Sequence, residues 1–144
     1  MSKESNLNFF IPDNESTLDA ILISSGISAG FPSPAGDFKQ DRISLDRELI
    51  KNKEATFFAR VNGQSMIDAG LEDNDLLVID RSLEPSNNKI AVCLIDGEFT
   101  VKRLRVEKER IWLQPENPSY SSIEVTEENQ LIIWGIVTNV IKKV

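Results

Sequence analysis

Ile90-Ala91-Val92-Cys93-Leu94-Ile95-Asp96-Gly97-Glu98-Phe99-Thr100-Val101-Lys102-Arg103-Leu104 is the stretch whose pattern decides the fold. Two apolar runs meet at Asp96-Gly97. A two-residue type I′ turn needs positive φ at both central positions, which Gly takes freely and Asp tolerates. The stretch therefore predicts an antiparallel hairpin. On its return strand the period of two places Lys102 on the face of Thr100 and Leu104, opposite Phe99 and Val101.

Outward from the hairpin the same grammar repeats. Short β-branched and aromatic runs predict six strands: Thr56 to Val61, Leu76 to Ile79, Ile90 to Ile95, Phe99 to Val106, Ile111 to Gln114 and Leu131 to Ile141. The last is expected to bend near Gly135. Asp73-Asn74-Asp75 and Pro115 to Ser119 supply turns. Asp46 to Lys51 predicts a short helix, with Ser44 available as its N-terminal cap and acidic residues in its first turn. The expected fold is a compact, mainly β, mostly antiparallel domain over residues 40–144.

Residues 1–39 have a different composition. Ser, Gly, Pro, Asn and Asp dominate, interrupted by the apolar stretch Leu18 to Ile23. In Ala29-Gly30-Phe31-Pro32-Ser33-Pro34-Ala35-Gly36 two prolines exclude helix and the glycines permit tight bends. This segment is expected to be a flexible N-terminal arm.

Global composition excludes several functions. The 144 residues carry a formal charge of -7, and nucleic-acid binding draws its main free energy from cationic contacts with phosphates, so little direct nucleic-acid binding is expected. Histidine is absent, which removes His-based triads, His metal ligands and the usual near-neutral proton shuttle. One cysteine, Cys93, cannot form an intrachain disulfide. No apolar run is long enough to span a bilayer and no signal-peptide order opens the chain, so a cytoplasmic protein with no membrane attachment is expected. No metal or cofactor is expected: Asp68, Glu72, Asp73 and Asp75 crowd together, but without the ligand order of a calcium loop, and fit a solvated acidic turn. Trp112 and Trp134 fit the core.

Acid-base chemistry must then rest on other groups. In Asn62-Gly63-Gln64-Ser65-Met66-Ile67, Gly63 can turn the chain as it leaves a strand and present Ser65 as a nucleophile. A helical turn beginning at Ser65 would aim the main-chain N–H groups of Ser65 and Met66 at a developing oxyanion. Gly-Gln-Ser also fits a plain turn. Lys102 is a candidate base only if neutral, which requires its pKa to fall by roughly 3 from about 10.4, a differential cost of about 4 kcal/mol, met only in a desolvated site. On an edge or outer face beside Arg103 and Arg105 it would be a solvated charge.

Phe31-Pro32-Ser33-Pro34-Ala35, Gly63-Gln64-Ser65-Met66-Ile67-Asp68 and Asp96-Gly97-Glu98-Phe99-Thr100-Val101-Lys102 together, in this order and spacing, resemble the UmuD family. Those proteins are related to the LexA-like repressors, which cut their own chain at a small-residue-Gly bond with a Ser-Lys dyad. The resemblance runs from about Gly26 to the C-terminus. It implies the fold of the LexA/UmuD C-terminal peptidase domain, Ser65 as nucleophile, Lys102 as general base, and Ala29-Gly30 as the bond cut. It further implies a damage-response (SOS) role: cleavage stimulated by a RecA filament on single-stranded DNA, then a processed homodimer joining an error-prone polymerase catalytic subunit in translesion synthesis. Two positions depart from the family's closest pattern: Ala29 stands for a cysteine and Gln64 for an acidic residue.

Three rivals are weighed against this. A LexA-class repressor would need a helix-turn-helix domain before Gly30, where no room is expected. A signal peptidase would need a membrane anchor. A noncatalytic polymerase-binding regulatory subunit, with an unused dyad, fits the same residues.

Overall fold

The computed structural model describes residues 7–12, 19–23 and 40–144. In chain order the elements are β1 (Leu7–Phe10), β2 (Asp19–Ile23), β3 (Gln40–Ser44), α1 (Leu45–Leu49), β4 (Thr56–Val61), β5 (Leu76–Asp80), β6 (Ile90–Ile95), β7 (Glu98–Glu107), β8 (Arg110–Gln114), β9 (Ile123–Val125) and β10 (Leu131–Ile141). The chain divides into two compact units, Met1–Pro12 with Asn52–Val144, and Asp13–Lys51.

The larger unit is an eight-stranded sheet in the order β1-β4-β5-β10-β6-β7-β8-β9, with every neighbouring pair antiparallel. The mainly antiparallel β fold expected from the sequence is the fold found. Its organising hairpin forms at Asp96-Gly97, with φ of 48° and 84°. The register runs from Ile95↔Glu98 to Ile90↔Arg103. β7 extends one residue beyond each predicted end, and because β8 pairs along its other side it is an interior strand, not an edge.

β10 lies between β5 and β6 and shifts register twice, between Ile133 and Gly135 against β6 and between Val137 and Asn139 against β5. The predicted bend near Gly135 is the first of these bulges. Glycine is required there by close approach: a Cβ would lie 2.5 Å from Ile79 Cγ2.

Alternation along the strands sorts the apolar residues into two cores. One gathers Ala59, Val61, Met66, Leu77, Ile79 and Val101; the other gathers Ala91, Cys93, Leu104, Leu113 and Ile136. Leu77, Ile79 and Leu113 are fully buried, and burial of each such side chain stabilises by about 1.5–3 kcal/mol.

Four strands lie outside the six predicted. β1 contains only Leu-Asn-Phe-Phe, and its strand state is set by pairing with β4 from Leu7↔Val61 to Phe10↔Phe58. β9, of three residues, is held by β8. In the smaller unit β2, the apolar stretch noted within the arm, pairs with polar β3 from Asp19↔Ser44 to Ile23↔Gln40. α1 follows directly. Ser44 takes its N-cap position, but the hydroxyl makes no capping hydrogen bond.

Candidate active site

The segment carrying Ser65 leaves β4 at Val61 and is fixed at several points. Gly63 adopts φ of 102°, a left-handed conformation that favours glycine. Its N–H donates to Asp73 Oδ1 at 2.9 Å. Met66 is 3% exposed and packs in the first core, anchoring the chain immediately after Ser65. A 3-10 turn, Ile67–Ala69, follows and closes on Gly70 at φ of 82°.

The β8–β9 connection holds the same segment from the other side. Glu116 N–H donates to the Ser65 carbonyl at 2.8 Å, Asp68 N–H donates to the Glu116 carbonyl at 2.7 Å, and the Asn117 amide donates to the Gln64 carbonyl at 2.8 Å. Arg103 Nε donates to the Glu116 carboxylate at 2.5 Å. The neighbour of Lys102 on β7 is thereby linked to the residue that holds the main chain of Ser65. Glu116 and Asn117 carry no motif; only the fold brings them here.

β7 delivers Lys102, whose residue is 7% exposed. Its Nζ lies 3.0 Å from Ser65 Oγ, 2.6 Å from Thr100 Oγ1 and 3.1 Å from the Val101 carbonyl. These three acceptors match the three donors of an ammonium. On losing a proton the amine can keep its bonds to Thr100 and Val101 while its lone pair accepts the Ser65 hydroxyl hydrogen. Burial pushes the Lys102 pKa below its ordinary value, with a smaller opposing pull from Cys93. Thr100 was legible as a neighbour of Lys102 from the two-residue spacing on one strand face.

Ser65 and Lys102 line a cleft of about 370 Å³ together with Met66, Phe99, Thr100 and Tyr120. Among the described residues, neither the Ser65 nor the Met66 N–H donates to a partner. Ala29 and Gly30 lie outside the described residues. In sequence they fall between β2 and β3.

Other sequence expectations are redrawn by the packing. The acidic group is not a uniformly solvated turn. Asp75 is 5% exposed and accepts from the Glu72 N–H and from Lys142 Nζ. The Asp75 hydrogen bond holds the Lys142 ammonium above its ordinary range. No group of three metal-ligating side chains gathers among the described residues. Trp134 is half-buried among Phe9, Phe57 and Phe99. Among the described residues no helix is long and apolar enough to cross a membrane.

A buried lysine within hydrogen-bonding distance of a serine, on an antiparallel β framework, defines a class of Ser-Lys hydrolase sites. The family model described as peptidase S24-like matches residues 21–138, and the chain belongs to that family. The chain is 43% identical over 124 residues to Protein SamA of Salmonella typhimurium strain LT2, covering 86% of each chain. It is 42% identical over 114 residues to Protein MucA of Escherichia coli, covering 78% of this chain and 77% of MucA. It is also 35% identical over 119 residues to the LexA repressor of Acidithiobacillus ferrooxidans, covering 81% of this chain but 58% of the repressor. SamA and MucA are UmuD-like proteins, and this chain is similar to them over most of its length. At the level of the family, the activity is that of a Ser-Lys autoprotease.

Proposed function

We propose that this UmuD-like chain cuts its own Ala29-Gly30 bond, with Ser65 as nucleophile and Lys102 as general base. The observation that carries the reading is the 3.0 Å approach of Lys102 Nζ to Ser65 Oγ in a site that disfavours the charged lysine. Neutral Lys102 takes the Ser65 hydroxyl proton as Oγ bonds to the Ala29 carbonyl carbon. The resulting oxyanion is stabilised by the main-chain N–H groups of Ser65 and Met66. As the intermediate collapses, the C–N bond breaks and Lys102 returns the proton to the departing Gly30 amine. Water then attacks the Ala29 acyl group on Ser65, giving its proton to Lys102. Ser65 is released with its hydroxyl restored, and Ala29 becomes a C-terminal carboxylate. Thr100 and Val101 orient the lysine throughout.

The small side chains at Ser28, Ala29 and Gly30 suit a main chain that must enter its own domain's cleft, and tethering raises the effective concentration of the bond. By likeness to the UmuD family, the chain acts in SOS mutagenesis. A RecA filament on single-stranded DNA stimulates cleavage, and the product beginning at Gly30 works as a homodimer with an error-prone polymerase catalytic subunit. The similarity to SamA and MucA supports this placement.

Mass spectrometry of the purified protein at neutral and alkaline pH tests the reading. A fragment beginning at Gly30, absent from Ser65→Ala and Lys102→Ala chains, is the expected result. No fragment at any pH, with RecA filaments present, would instead favour a noncatalytic polymerase-binding subunit.

A further inference from the structure

Among the described residues, β1 is the outermost strand of the large sheet and pairs only with β4. It precedes the proposed Ala29-Gly30 cut, whereas β4 follows it, so hydrolysis there would remove the covalent link between two paired strands. After the cut, β1 would be held by its ladder of four register pairs and by side-chain packing, in which Phe9 lies against the first core.

Phe9 sits on a prepared surface. Its ring centroid is 5.0 Å from that of Phe99 and 4.7 Å from that of Trp134. Trp134 is also held independently of Phe9: Phe57 contacts it edge-on at 5.1 Å, Arg81 stacks over it at 4.3 Å, and Arg81 Nε donates to its carbonyl at 2.8 Å. Across the ladder Phe9 faces Ala59, a small residue with no exposed surface. Losing β1 would therefore leave a formed aromatic seat beside the unpaired main-chain groups of β4. An open strand edge is a template for a further strand, with main-chain bonds supplying affinity and a side-chain pocket supplying selectivity.

Resting on the proposed cleavage, we infer that β1 is a removable edge strand. Cutting the chain converts β4 and the Phe9 seat into a docking site for an extended segment of a partner protein that presents an aromatic side chain opposite Ala59. β1 is the template for that ligand: an extended segment with Phe9 at the pairing position and Pro12 ending the strand's run. While the chain is intact, tethering keeps β1 in place against any free competitor of similar affinity. Cleavage removes that advantage, so the uncut protein is self-blocked at this edge.

The test uses the full chain with Ser65→Ala and Trp112→Phe, and a recognition sequence for an exogenous protease inserted between Ala29 and Gly30. The cut is thus made whether or not the protein can process itself, which separates failure of this inference from failure of the proposed peptidase. Hydrogen exchange at Phe58 to Val61 and emission from Trp134 are followed before the cut and after removal of the N-terminal fragment. The β4 amides facing β1 are expected to exchange at least ~10-fold faster, with β5, β6 and β10 unchanged. A peptide spanning residues 5–12 should restore both signals, and a Phe9→Ala peptide should need at least ~10-fold more. Unchanged β4 exchange, equal restoration by both peptides, or loss of protection throughout the sheet would overturn the inference. Restoration by raising the concentration of cut chain alone would assign the edge to a second copy and overturn the partner reading.

Discussion

Lys102 Nζ and Ser65 Oγ stand 3.0 Å apart although 37 positions separate them in sequence. Two turns make this approach, one at Gly63 after β4 and one at Asp96-Gly97 before β7. The contact also has a fixed electrostatic sense, because burial disfavours the charged lysine.

Self-processing should therefore accelerate as pH rises. Only neutral Lys102 can accept the Ser65 proton, and desolvation moves its half-neutral point below the ordinary 10.5. The initial rate of formation of the Gly30 fragment, measured across alkaline pH, should climb and level off before 10.5. A rate that is flat, or still climbing with a midpoint above 10.5, would contradict the role given to Lys102.

The same shift predicts a stability signature. Between the lowered folded pKa of Lys102 and its ordinary 10.5, the unfolded chain binds more protons than the folded one, so stability rises with pH in that window and falls as pH drops through it. Lys102→Met removes the titration. In urea unfolding of Ser65→Ala chains, which leaves processing out, Lys102→Met should gain least relative to its parent near pH 10.5 and most near neutrality. Parallel curves for the two proteins would refute this.

Asn117 touches neither reacting side chain, yet its amide holds the Gln64 carbonyl beside Ser65. Asn117→Ala should slow processing by roughly 3–10-fold, the equivalent of one neutral hydrogen bond of about 0.5–1.5 kcal/mol. The pH midpoint should stay unchanged, because the surroundings of Lys102 are intact. A shifted midpoint would mean that Asn117 acts on the base and not on the loop.

Gly135→Ala should destabilise the fold by about 1–3 kcal/mol through overpacking. The new Cβ would meet Ile79 Cγ2 at 2.5 Å, and Ile79 is fully buried in the first core. Thermal unfolding measures the effect directly; an unchanged midpoint would show that the bulge in β10 relaxes freely.

Cys93 should resist alkylation in the folded protein. Burial pushes its thiol up to about 12 against a smaller downward pull from Lys102, and no part of the residue is exposed. Iodoacetamide at neutral pH should label it only after unfolding. Rapid labelling of the native chain would place the cysteine in a more open environment than the sheet provides.

What could be read in the sequence was local. Period-two alternation with Asp96-Gly97 between the runs dictated the β6–β7 hairpin, because few other residues take positive φ at both turn positions. Glycine within an apolar run located the β10 bulge for a different reason, the close approach of Ile79 that leaves no room for a Cβ. The likeness of the Ser65 and Lys102 segments to a known family supplied the candidate pair, since spacing around one serine or one lysine also fits a turn or a solvated strand face. Tertiary structure alone decided the rest. β1 and β3 have weak strand patterns, so their state depends on distant partners, β4 and β2. The clamp of Glu116 and Asn117 on the Ser65 segment depends on contacts between residues about 50 positions apart, which no local pattern encodes. The chain's short-range preferences determined which strands and turns could form. Only packing determined that Lys102 would be buried, because desolvation comes from every strand around it and not from its own.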